Sequence, residues 1–326
     1  MQDTKKIRIG VSSCLLGNPV RYDGGHKKNV WLVNTLGKYV EFVPVCPEVE
    51  MGLSVPREPL RLVGDPENPR LVTIKTYQDY TQQMKEFSEK RVRELEKEDL
   101  CGFVFKRASP SSGMERVKVY KDVDPNVVKN PGAPSLKGVG AFARVFMEHF
   151  PLLPVEEEGR LGDAKLRENF IERIFALQRW REFLETSFTL RGLIEFHTRH
   201  KLLLMSHSVV HYRAMGKLVA AAKQYDATDL IAQYQKEFLT ALALHATVKK
   251  HTNVLHHIVG YFKKQLSADE KQEILEIIEQ YHNQLVPLIV PVTLLNHFVR
   301  KYGEEYLREQ WYLNPHPAEL KLRNHV

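Results

Sequence analysis

Cysteine is scarce in this chain, with three residues in 326. A small, odd number argues against a disulfide framework and leaves thiols available for metal binding or catalysis. None of the three shares the close C-x-x-C spacing of a zinc ribbon or ferredoxin, so any common metal site must be assembled by the fold. No stretch approaches the ~18 consecutive apolar residues of a membrane span. The opening Met-Gln-Asp-Thr-Lys-Lys-Ile lacks the apolar region of a signal peptide. These absences lead us to expect a cytoplasmic protein with no membrane partner. Histidine is almost missing from the first half, where only His26 and His149 precede residue 150. Strand signals are almost missing from the second half. The two asymmetries place a domain boundary near the middle, dividing residues 1–160 from residues 165–326. No internal repeat is visible.

What is present is ample core material, with 43% hydrophobic residues, and a formal net charge of +7. The charge favours a polyanionic partner such as RNA, and fits an ordinary basic protein equally well.

Lys6 to Val11 is a β-branched run that reads as a first strand, ending in Ser12-Ser13-Cys14-Leu15-Leu16-Gly17. Glu41 to Val45 reads as a second strand, ending in Cys46-Pro47-Glu48, with a helix over Asn29 to Leu36 between them. Leu60–Val63 and Leu71–Lys75 flank a Gly64-Asp65-Pro66 turn and suggest a hairpin outside the main sheet. Asp79 to Glu98 has helical periodicity, with Met84, Phe87, Val92 and Leu95 inward. Gly102 to Phe105 is a short buried strand running into Ser109-Pro110-Ser111-Ser112-Gly113. Val117–Tyr120 follows as a strand, then a Pro131-to-Pro134 loop and a helix over Gly140–His149. Strands alternating with helices predict an α/β, Rossmann-like domain with a mostly parallel sheet. After the acidic run Glu156-Glu157-Glu158, helices are expected over 166–184, 190–197, 208–224, 227–262, 268–281 and 291–302, an all-α second domain.

Cys14, Cys46 and the Ser109–Gly113 turn each follow a strand directly. In a parallel sheet the carboxyl ends of the strands share one edge, where ligands bind, so the three segments can converge. Taken alone, the thiols are more often buried core groups, the turn an ordinary turn or an anion nest, and Glu48 a helix cap.

Ser12-Ser13-Cys14-Leu15-Leu16-Gly17, Arg21-Tyr22-Asp23-Gly24, Cys46-Pro47-Glu48 and Ser109-Pro110-Ser111-Ser112-Gly113 together resemble the thiouracil desulfidase (TudS) family. The resemblance covers roughly the first half. The second half, with Arg179-Trp180-Arg181-Glu182-Phe183 and Leu204-Met205-Ser206-His207-Ser208-Val209-Val210-His211-Tyr212-Arg213, resembles the helical domain fused to that family in the tRNA 4-thiouridine desulfidases (RudS). The resemblance implies a 4Fe–4S cluster held by three cysteines, with one open iron that takes the sulfur of a thiolated pyrimidine, and water replacing that sulfur. It implies Cys14 and Cys46 as ligands, Glu48 as the carboxylate that activates water or shuttles a proton, and Ser109 as an acid/base or substrate-binding serine. Ser13, Tyr22, Asp23, Lys106 and Ser111 are expected around the substrate. The family's turn reads Ser-Pro-Ser-Cys-Gly, and its third ligand is that cysteine. Here Ser112 stands in its place, which leaves open an alkoxide ligand, an engineered change, or impaired cluster binding. Cys101 is no substitute: the Cys101–Arg107 run alone spans roughly 20 Å at ~3.3 Å per residue. A buried structural role is expected for it.

His207 and His211 sit at i, i+4 on one helix face, a spacing that can bind metal, but a packed or RNA-facing pair is the stronger reading. Lys249-Lys250-His251 and Lys263-Lys264, near Tyr261 and Phe262, fit either a phosphate-binding surface or a solvated helix face. The expected function is removal of sulfur from 4-thiouridine in tRNA. The rivals are a desulfidase of free thiouracil and a non-enzymatic RNA-binding or redox-sensing protein.

Overall fold

The computed structural model describes residues 6–123, 127, 132–186 and 188–325. Pro131, in the expected proline-rich loop, lies outside them. The chain divides into two compact units, Met1–Asp163 and Ala164–Val326.

The first unit is α/β. Its strands are β1 (Ile7–Ser12), β2 (Val40–Val45), β3 (Leu60–Asp65), β4 (Asn68–Thr73), β5 (Gly102–Phe105), β6 (Val117–Tyr120), β7 (Ser135–Gly138) and β8 (Val155–Glu157). Its helices are α1 (Val30–Asn34), α2 (Pro47–Glu50), α3 (Thr81–Glu96) and α4 (Ala141–His149). The main sheet has the order β2-β1-β5-β8, and every pairing in it is parallel. Such a sheet is covered on both faces, which is why β1 and β5 are apolar almost throughout rather than alternating. Gly10 lets Phe103 cross β1, since a Cβ there would lie 2.2 Å from the Phe103 ring. Phe103 then meets Phe146 of α4 at 4.6 Å between centroids. β3 and β4 form the expected antiparallel hairpin outside the main sheet. They belong to a second sheet of order β4-β3-β6-β7, which takes β6 as well.

Two expectations need correction here. No strand is expected at the acidic run Glu156-Glu157-Glu158, yet Val155–Glu157 is β8, the fourth strand of the main sheet. Burial of Glu156 and Glu157 hid it, because three residues rich in carboxylate carry no strand signal.

The second unit is helical: α5 (Ala164–Thr186), α6 (Leu190–His207), α7 (Val209–Ala220), α8 (Ala227–Ala243), α9 (Val248–Tyr261), α10 (Ala268–His282), α11 (Ile289–Tyr302) and α12 (Glu305–Arg308). Trp180 of the Arg179–Phe183 segment is fully buried and stacks on Tyr234 at 5.0 Å. Trp180 and Phe183 of that segment are core residues. The expected 227–262 helix is two, with Thr247 capping α9 by accepting the Lys250 N–H.

The second correction concerns His207 and His211, which do not share a helix face. Ser208 ends α6 and caps α7 by accepting the His211 N–H at 3.3 Å. His207 is buried, with Nδ1 on the Leu244 carbonyl at 2.6 Å and Nε2 on Glu172 at 3.2 Å. The basic clusters are also partly committed: Lys250 bonds the His207 and His245 carbonyls, and His251 is buried against Tyr312. Lys249, Lys263 and Lys264 stay exposed. Among the described residues no helix is long and apolar enough to cross a membrane.

Candidate active site

The chain leaves β1 toward β2 on one side and returns to place β5 on the other. In parallel sheets that reversal opens a crevice beyond the carboxyl ends of the strands. β1 runs into a short turn over Ser13–Leu16, where the Cys14 carbonyl accepts the Lys27 N–H at 2.9 Å. β2 runs into Cys46, which caps α2, with Pro47 in the first helical turn. Its own N–H is held by Glu50 Oε1 at 2.6 Å. β5 runs through Lys106 into the serine turn, and Lys106 N–H donates to Ser12 Oγ at 2.9 Å, tying β5 to β1.

The serine turn is fixed by α4. The first N–H groups of that helix need acceptors outside it. Ala141 N–H finds the Pro110 carbonyl at 2.9 Å, and Phe142 N–H the Ser111 carbonyl at 2.9 Å. This close approach requires Gly140, where a Cβ would sit 2.6 Å from Gly113 N and 2.7 Å from the Ser111 carbonyl carbon. Gly140→Ala is therefore expected to lower stability by about 1–3 kcal/mol, as overpacking against backbone does. Urea denaturation reads it, and an unchanged midpoint would remove this role for Gly140.

A cavity of about 290 Å³ is lined by Ser13, Cys14, Tyr22, Cys46, Glu48, Lys106, Ser109, Ser111 and Ser112, together with Arg21, Lys27 and Arg57. The fold thus gathers every expected site residue except Asp23. That side chain instead accepts the Gly25 N–H at 3.0 Å and faces Arg21 at 3.5 Å within its own turn. Tyr22 is at the rim, 41% exposed, under the Arg21 guanidinium. Cys101 is fully buried at the opposite end of β5, where its N–H donates to the Arg8 carbonyl.

One polar chain crosses the cavity. Arg57 Nε donates to Glu48 Oε2 at 2.8 Å. Ser111 Oγ donates to Glu48 Oε1 at 2.8 Å and lies 3.0 Å from Ser109 Oγ. Because the Ser111 proton is directed at Glu48, the Ser109 hydroxyl is the donor to Ser111. Ser109 Oγ also accepts the Ser112 N–H at 3.1 Å. Around the same corner stand two thiols and a hydroxyl. Burial pushes the Cys14 thiol up to about 11 against the pull of Lys106, and burial likewise raises Cys46. Cys46 Sγ makes a long contact to the Val20 carbonyl, at 3.8 Å, and meets the Val49 backbone. Ser112 is 4% exposed.

Arg57, Glu157, Glu158 and Gly140 were missed in the sequence. Glu158 pairs with Lys106 Nζ and accepts the Arg107 N–H at 2.7 Å. Glu157 Oε1 accepts the Met114 N–H at 2.8 Å. The end of β8 and the residue after it thus anchor both ends of the serine turn. Arg57 lies nine residues after Glu48 in a stretch without regular structure, and no local signal pairs them.

Residues 9–158 match the model of the 2-thiouracil desulfurase family, and residues 201–317 match that of DUF1722, a family of unknown function. YbgA of Escherichia coli (strain K12), an uncharacterized protein, is 32% identical over 153 residues, 47% of this chain and 90% of YbgA. A solved structure of the 4Fe-4S-dependent thiouracil desulfidase TudS is 30% identical, matched over 48% of this chain and 94% of that chain, with a TM-score of 0.38. Two family matches in this order, with 32% identity over 90% of YbgA, show that the chain belongs to the 2-thiouracil desulfurase family and carries a DUF1722 domain after it.

Proposed function

We propose that this chain is an iron–sulfur-dependent desulfidase that converts 4-thiouridine in tRNA to uridine. The observation that carries the reading is the convergence of Cys14, Cys46 and Ser112 on a cavity crossed by the Ser109–Ser111–Glu48 chain.

The donors fit a cluster. Two are thiols, and among the described residues neither Cys14 Sγ nor Ser112 Oγ has a hydrogen-bond partner that would compete. Arg21, Lys27, Arg57 and Lys106 line the same cavity and would offset the negative charge of thiolate ligands. Ser112 is the harder of the three donors and would hold iron less firmly than a thiolate. A bound cluster would supply a thiophilic Lewis acid that polarises the thiocarbonyl. The overall change is C=S plus water giving C=O plus hydrogen sulfide, with no electrons consumed.

The protein's own groups manage the proton. Arg57 occupies Oε2 of Glu48 and leaves Oε1 for Ser111. A water against Ser109 can pass its proton through Ser111 to Glu48, which is general-base catalysis by relay. Glu158 holds Lys106 at the cavity wall. Arg21 and Lys27 face the same space and suit the phosphates that flank a nucleotide in RNA.

The test is anaerobic reconstitution of the whole chain, followed by sulfide release from tRNA bearing 4-thiouridine and from free 2-thiouracil. One sulfide per uridine formed from the tRNA is expected. Iron-loaded protein that acts on neither substrate would overturn the reading, and action on the free base alone would overturn its tRNA part. Ser112→Cys should raise the iron retained through anaerobic desalting severalfold. Equal retention would remove Ser112 from the ligand set.

A further inference from the structure

The helical unit contains a cavity of about 720 Å³ between α6 and α7, within the ~300–1,000 Å³ of small-ligand pockets. Its chemistry is ordered from bottom to rim. At the bottom is His197, 3% exposed, whose Nε2 has no hydrogen-bond partner among the described residues. A buried polar atom left unpaired costs about 1–3 kcal/mol, so its persistence asks for an explanation. Its other nitrogen, Nδ1, lies 3.2 Å from the hydroxyl of Tyr234. Burial keeps Tyr234 protonated and lowers His197 to about 4, so at neutral pH a neutral imidazole faces a phenol. The arrangement that leaves the fewest buried groups unpaired has Tyr234 donating to Nδ1, which puts the proton of His197 on Nε2 as a free donor. Gly216 of α7 leaves the approach open, for a Cβ there would meet nothing nearer than Nε2 itself at 3.9 Å.

The walls are apolar and aromatic. Leu190 and Ile194 remain 40% and 53% exposed, and the Tyr212 ring lies parallel to His197 within 6°. The outer lining carries Lys201, Arg213, Lys217 and Lys223 and no carboxylate. None of the four takes part in an ion pair among the described residues. A ligand that uses all three zones has a hydrogen-bond acceptor at one end, a flat apolar body, and negative charge at the other end.

We infer that this cavity binds a nucleoside monophosphate unit, with a carbonyl of the base on His197 Nε2–H, the ring beside Tyr212, and the phosphate among Lys201, Arg213, Lys217 and Lys223. Base–aromatic contact and cationic contact to phosphate are the usual means of holding such a unit. The unit can come from a free nucleotide or from an unpaired position in an RNA strand. The inference does not rest on the desulfidase reading.

The test uses the full chain, without iron or thiolated substrate, so its outcome is separate from that of the desulfidase assay. Equilibrium dialysis with labelled UMP and anisotropy with a short labelled oligouridylate are the two probes. Binding of UMP at least tenfold tighter than uridine or inorganic phosphate is expected if free nucleotides are the source. Binding of the oligonucleotide alone indicates RNA as the source. In either case Gly216→Leu should weaken binding at least tenfold by filling the cavity while improving helix propensity. Arg213→Glu and Lys217→Glu, at exposed positions, should weaken it most at low salt and flatten its salt dependence. Circular dichroism checks that the helices persist. Failure of both probes to bind, or binding unaffected by Gly216→Leu in a folded chain, would overturn the inference.

Discussion

Glu48→Gln is expected to lower kcat for desulfidation by about 10²–10⁴, the range for removing a positioned general base. Glutamine keeps the length of the side chain and one acceptor oxygen, but it cannot take the proton that Ser111 delivers. It also leaves Arg57, whose side chain is only 6% exposed, without its carboxylate partner. A stability loss of about 1–3 kcal/mol should accompany the kinetic effect, and thermal melting must be measured beside it. Ser111→Ala separates the two, because it breaks the proton path while leaving Arg57 on Glu48. It should also lower kcat, and the double variant should be little worse than Glu48→Gln, since members of one relay are not additive. Independent, multiplying effects would show that the serines and Glu48 do not share a path.

Arg323→Ala is expected to cost the helical unit about 3–5 kcal/mol, the usual loss when one partner of a buried ion pair is removed. Arg323 is 2% exposed. It donates to Glu172 at 2.6 Å, to Glu168 at 3.1 Å and to the Tyr312 carbonyl at 2.6 Å, tying the end of the chain to α5. One guanidinium cannot neutralise two buried carboxylates. Burial pushes Glu168 up to about 7 despite Arg323. At Glu172 burial pushes the same way, yet the charges of Arg323 and His207 together hold its carboxyl well below the usual range. The signs give opposite pH dependences. Glu172, depressed in the folded state, contributes stability above its unfolded value that is lost as pH falls through the folded one. Glu168, raised in the folded state, contributes stability at low pH that is lost as pH rises from about 4.5 to about 7. Near neutral pH, Glu168→Gln should therefore be close to neutral and Glu172→Gln should cost several kcal/mol in urea denaturation. Equal effects would contradict this division.

Much of the architecture was legible because it rests on local pattern. The apolar runs of β1 and β5 and the periodicity of α3 follow from burial on two faces and on one face. The site was legible in part. Cys14, Cys46 and Ser109–Ser112 all follow strands directly, so their common edge could be expected before any distance was known. The remainder depends on pairings distant in sequence. Arg57 reaches Glu48 across an irregular segment, and Gly140 matters only because α4 starts against the serine turn. Glu157 and Glu158 carried no signal because nothing local shows that Met114 N–H and Lys106 would meet them. His207 and His211 misled for the converse reason: their spacing is helical, but Ser208 caps a new helix between them.

The central claim is that Cys14, Cys46 and Ser112 form the cofactor corner of a desulfidase. Iron and acid-labile sulfide bound per chain after anaerobic reconstitution test it most directly, in the unaltered protein and in Cys46→Ala. About one four-iron cluster per chain is expected for the former, with most of it lost in the latter. Equal iron in both proteins, or none in either the unaltered protein or Ser112→Cys, would contradict the claim.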